Sequence, residues 1–209
     1  MTWLSEPVAI AETGKAGFTE FHEHIRPAAK PLVMRGLVAD WPCVAAGQRG
    51  DRAMVAYLNE CGTTRPVTAL AAAPSEQGRL FYNPQLTGFN FIKGQGQLAK
   101  FLGDLMDENA KDMPHAMSVQ SEVLRIVSPR FAQANRLDLL PDVEGRIWLG
   151  NRVRTATHYD LSENVACNVA GRRRFILFPP EQISNLYLGP LELTPAGTPT
   201  SLVDPINPD

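Results

Sequence analysis

Apolar residues recur along the chain with two spacings, and the clearest of them is helical. Leu98, Phe101, Leu102, Leu105 and Met106 fall at i, i+3, i+4, i+7 and i+8, one stripe of a helix predicted over about 95–109. A second helix is predicted across 52–60, with Asp51 as its cap, Val55 and Leu58 inward and Gly62 as its stop. Residues 17–29 suit a short helix ending near Pro27. Short β-prone runs occupy Pro31–Gly36, 63–70, 115–121, Arg146–Gly150, Asn164–Ala170 and Arg174–Phe178. Residues 73–91 are rich in turn formers, and five prolines in 190–209 predict a loop there. From Arg146 onward, short strands separated by Gly, Pro and polar turns suit an antiparallel barrel or sandwich.

Composition narrows the class. The 209 residues are enough for one sizeable domain that buries a core without staples. A formal net charge of -2 gives no basic field for nucleic acid. No apolar run approaches the ~20 residues of a membrane-spanning helix. The first sixteen residues carry Glu6, Glu12 and Lys15 and lack the layout of a signal peptide. Cys43, Cys61 and Cys167 show no C-x-x-C spacing, which fits a reducing compartment and a cytoplasmic protein.

Candidate chemistry sits at His158-Tyr159-Asp160. On a strand, residues i and i+2 point to one face, so an imidazole and a carboxylate can converge there. With one further His, such a pair makes the facial triad of non-haem iron(II) oxygenases. Alone, the triplet is more often a surface histidine beside a turn aspartate.

Its surroundings carry more. The run Thr155-Ala-Thr-His158-Tyr-Asp160, then Asn164, then Gly171-Arg-Arg173-Arg, then Phe175-Ile-Leu-Phe-Pro179-Pro180, resembles the core motif of the cupin-like JmjC oxygenases. That group includes the asparaginyl hydroxylase acting on hypoxia-inducible factor. Lys30–Pro42, Phe81-Tyr-Asn83, Gly88–Phe91 and Ile147–Gly150 are similar to bacterial members. The resemblance implies an α+β protein, a double-stranded β-helix with an N-terminal α/β elaboration. The elaboration would span 1–110, and 111–209 would form the first part of the barrel.

The resemblance also implies iron(II) and 2-oxoglutarate as cofactors, and hydroxylation of a protein side chain or a small molecule. His158 and Asp160 would be catalytic metal ligands. Thr155 would hydrogen-bond the distal carboxylate of 2-oxoglutarate, and Asn164 would face the cosubstrate or the metal. Arg173 stands where the family usually has Lys, offering a bidentate fork to that carboxylate. Ser118 stands where the family often has a Tyr. The family's distal His lies beyond the Pro-Pro strand, whereas His22, His24 and His115 all lie upstream of it. The chain therefore reads as truncated at its C-terminus, with open strand edges that predict an oligomer such as a homodimer. Two other readings stand beside the oxygenase: a non-catalytic cupin-like dimerisation or binding module, and a cupin of another chemistry.

Overall fold

A computed structural model of the chain describes residues 8–206. The readings made on 1–7 and on 207–209 lie outside the described residues.

The fold is organised around a four-stranded antiparallel sheet of order β5-β3-β6-β7, formed by β3 (Val67–Ala72), β5 (Phe91–Gly96), β6 (Ala116–Val123) and β7 (Arg146–Gly150). Alternation along the strands divides its two faces. Val67 and Val119 turn to one side and meet Leu58 of α3 (Asp51–Cys61) and Leu102 of α4 (Leu98–Asn109). The helices α2 (Pro42–Gln48), α5 (Leu124–Val127) and α6 (Pro129–Ala134) complete that layer through Cys43, Val127 and Phe131. Leu70, Ala72, Phe91 and Ala116 turn to the other side and pack with Leu80 of β4 (Arg79–Leu80). As a separate two-stranded sheet, β1 (Ala11–Thr13) pairs in parallel with β2 (Leu32–Met34). A helical turn α1 (Phe18–Glu20) continues as a π-type turn over Phe21–Ile25 and ends just before Pro27.

The helix over 98–109 starts three residues later than expected and buries Leu98, Phe101, Leu102 and Leu105 of the stripe read from the sequence, with Met106 half-buried. The helix at 51–61 forms too, with a different start. Gly50, at φ 105, takes the capping position, where a left-handed backbone favours glycine. Asp51 becomes the first helical residue, its carboxylate at the positive end of the helix. Met54 joins Leu58 in the core, while Val55 is half-buried. The edge strand β5 and the helices α2, α5 and α6 were not foreseen. Lys93, Gly94, Gln95 and Gly96 carry no strand-like signature, and pairing with β3 is what makes this segment a strand.

Two β-prone runs, Asn164–Ala170 and Arg174–Phe178, do not become paired strands. Phe175 is 56% exposed and Leu177 55%. No strand among the described residues pairs with them, so their backbone groups do not enter a ladder. The tail departs from expectation in the opposite sense. It folds back on itself through the antiparallel bridge Leu188↔Ser201 and pairs with the candidate site through His158↔Thr200. No helix among the described residues is long and apolar enough to cross a membrane.

Candidate metal centre

The site begins at β8 (Arg154–Thr155), which pairs in parallel with β4 so that Arg79 faces Arg154 and Leu80 faces Thr155. The chain then runs on through Ala156 and Thr157 to His158. This stretch is not a regular strand, contrary to the expectation for the H-x-D triplet; only His158 is bridged, to Thr200. The Ser201 N–H donates to Thr157 O at 2.8 Å. On the far side of the tail, Gly189 N–H donates to Thr200 O and Leu202 N–H to Tyr187 O, each at 2.9 Å. Residues 198–202 thus lie between the His158 segment and 187–189. Thr200 is fully buried and Ser201 nearly so.

His158 Nδ1 lies 2.7 Å from Ala156 O. A carbonyl oxygen only accepts, so Nδ1 carries the proton and donates it. Nε2 is left with its lone pair, the form of imidazole that binds a metal. Nε2 stands 3.8 Å from Asp160 Oδ1. Two donors each about 2.1 Å from a shared ion stand roughly 3 to 4 Å apart as their angle opens from a right angle toward a line. At 3.8 Å the two donors would subtend about 130° at a shared ion, so they stand near one another but wider than the roughly 3 Å of neighbouring octahedral ligands.

Asp160 is held from its other side. Asn164 Nδ2 donates to Asp160 Oδ2 at 2.9 Å and to Ser162 O at 3.2 Å. This closes the turn and leaves Oδ1 toward the imidazole. Next along the chain, Glu163 Oε2 accepts from Arg26 Nε at 2.6 Å, which ties the loop to the end of the N-terminal helical segment. The pair is exposed on both sides and adds little stability on its own.

The remaining expected residues are placed less tightly. Thr155 sits on β8 with its side chain exposed. Arg173 lies on the exposed, unpaired run after Gly171. Ser118 is buried in β6, and its hydroxyl donates to Leu149 O at 3.1 Å. His22 donates from Nε2 to Leu139 O at 2.8 Å, and His115 sits against Glu108 at 3.2 Å, so both are engaged elsewhere. Among the described residues, no group of three or more His, Cys, Asp or Glu side chains is placed to hold a metal. His158 and Asp160 supply one nitrogen and one oxygen donor, types that non-haem iron accepts.

Sequence reading missed Thr200, Ser201 and Asp204. Small hydroxylated residues between prolines give no periodic signal, and nothing local marks them as the neighbours of His158.

Comparison with known proteins identifies cupin-like and JmjC-domain relatives. Residues 18–209 match the family profile of the cupin-like domain. The chain is 27% identical over 205 residues to JmjC domain-containing protein D of Dictyostelium discoideum, covering 91% of this chain and 43% of that protein. It is 32% identical over 107 residues to lysine-specific demethylase JMJ31 of Arabidopsis thaliana, covering 49% of this chain and 17% of that protein. The chain thus spans less than half the length of either curated relative.

Proposed function

The chain belongs to the cupin-like domain family, with the α+β fold of that family, and from that premise we propose that it is an iron(II)- and 2-oxoglutarate-dependent oxygenase. The observation that carries this reading is the His158–Asp160 pair. Its imidazole is held in the tautomer with Nε2 free, and a carboxylate oxygen stands 3.8 Å away. Bound iron would supply oxygen activation for hydroxylating a C–H bond, with 2-oxoglutarate decarboxylated to succinate.

The chain's own residues would do the following. His158 would donate through Nε2 and Asp160 through Oδ1. Asn164 would hold the carboxylate so that this oxygen faces the ion. Thr155 would offer its hydroxyl, and Arg173 its guanidinium fork, to the distal carboxylate of 2-oxoglutarate. Ser118 has no part in this reading, because its hydroxyl already donates within the sheet. The substrate would be a protein side chain or a small molecule. The Arabidopsis relative is named for demethylating lysine, so a methylated lysine is one substrate class to try. The setting would be cytoplasmic and the assembly a homodimer.

Anaerobic titration with iron(II) in the presence of 2-oxoglutarate tests the reading. A weak visible charge-transfer band should appear and should be absent in His158→Ala. No band in the wild-type chain would overturn the oxygenase reading and favour a cupin-like binding module.

A further inference from the structure

We propose that Asp204 is a positioning residue for His158: held between Arg79 and Arg154, it pins the register of the tail strand that seats the histidine. The proposal rests on the reading of His158 as a metal ligand.

The contact between the tail and the His158 segment is short. One antiparallel bridge joins His158 to Thr200, and one flanking hydrogen bond runs from Ser201 N–H to Thr157 O. A single bridge defines register weakly. A slip by one residue would turn the tail's side chains to the opposite face and remove Thr200 from its place across from His158.

An ionic contact lies farther along the same register. Arg154 is four residues before His158 and Asp204 is four after Thr200, so an antiparallel alignment brings the two opposite each other. They meet there. Asp204 Oδ2 lies 3.6 Å from Arg154 Nη1 and 3.7 Å from Arg79 Nε. Asp204 Oδ1 accepts the Ile206 N–H at 3.0 Å, which fixes the carboxylate's orientation.

The two arginines do not meet by chance of side-chain reach. Arg79 and Arg154 are direct partners in the parallel pairing of β4 with β8. Like charges so placed repel each other, and a carboxylate between them removes the repulsion. Arg79 is held further by stacking over the Phe81 ring at 3.7 Å. The Asp204 side chain is only 14% exposed, and Arg154 Nε is buried with no hydrogen-bond partner among the described residues. A slip of the tail would leave both guanidinium groups partly buried and uncompensated. The cluster therefore joins three separated segments, 79–80, 154–158 and 198–204, in one alignment.

The test compares Asp204→Asn, which keeps shape and loses charge, with Asp204→Glu, in the full chain. The first readout needs no metal: the nitrogen NMR signature of the His158 ring, with amide exchange at Ser201 and Val119. In the wild type the ring should show one tautomer, protonated at Nδ1. In Asp204→Asn that single tautomer should be lost and Ser201 should exchange about tenfold faster, while Val119 in the core keeps its protection. Asp204→Glu should restore both signals at least in part. The second readout is cobalt(II) alone as the probe, whose affinity should fall about tenfold in Asp204→Asn.

An unchanged tautomer and Ser201 exchange in Asp204→Asn would overturn the proposal. So would loss of Val119 protection in step with Ser201, which would make Asp204 a general stability residue. If the wild type binds no cobalt(II) but the tautomer and Ser201 respond as stated, the metal reading fails and the positioning role stands.

Discussion

Thr200 stands directly across from His158, in an antiparallel pair of the kind without mutual hydrogen bonds, and it is fully buried. In such pairs the side chains approach more closely than in the hydrogen-bonded kind. The candidate ligand is thus backed by a residue remote in sequence, while its ring orientation is set by a neighbour two positions away, Ala156. Local chain and remote tail together determine where Nε2 points.

Asn164 controls the other ligand. Asn164→Ala should weaken cobalt(II) or iron(II) binding about tenfold, because Asp160 Oδ2 loses its 2.9 Å donor and the carboxylate is free to turn. Asn164 is exposed, so stability should change by no more than about 0.5 kcal/mol. Metal titration beside a urea unfolding curve checks both halves. Equal affinity in the two proteins would show that Asp160 needs no support.

Ser118 separates structure from cosubstrate binding. Its buried hydroxyl donates to Leu149 O at 3.1 Å. Ser118→Ala should therefore cost about 1 kcal/mol in stability, with 2-oxoglutarate affinity unchanged. A clear loss of 2-oxoglutarate affinity at unchanged stability would return Ser118 to the cosubstrate site.

Glu108 gives the fold an acid dependence. Its pKa is lowered to about 2, first by the hydrogen bond from Lys111, with the backbone N–H and ring of His115 adding to it. A carboxylate with a depressed folded-state value stabilises the fold fully above its ordinary value of 4.5, and that contribution is lost as pH falls toward about 2. Denaturant unfolding measured across this window should show a steeper loss for the wild type than for Glu108→Gln. Parallel profiles would mean that the Lys111 and His115 contacts add nothing.

Cys43 should be silent in the native protein. Its thiol is fully buried in the helical core, and burial pushes its pKa up to about 11. Thiolate is the reactive form, so peptide mapping after alkylation at about pH 8 should find Cys43 unmodified until the chain is unfolded. Labelling of native Cys43 at the rate of a free thiol would show that α2 opens readily.

Legibility followed how local each signal was. The Leu98–Met106 stripe needs only the period of a helix, and four of its five residues are buried, with Met106 half-buried at its end. The strand at 116–123 and the strand at 146–150 were likewise announced by their own side chains. The run from Phe175 to Phe178 shows the limit. Its composition is that of a strand, yet a strand exists only when a neighbour takes its N–H and C=O groups. β5 is the converse, a polar, glycine-bearing segment made into a strand by β3.

The sequence by itself determined the helices over 51–61 and 98–109, the family resemblance and the pair His158 and Asp160, because each rests on residue type at short spacing. Only the tertiary structure decided that a proline-rich tail would lie against His158, that Asn164 would hold Asp160, and that Asp204 would come between two arginines. Those contacts depend on segments brought together across the chain by pairing and charge, and no local pattern encodes which distant backbone will supply the partner.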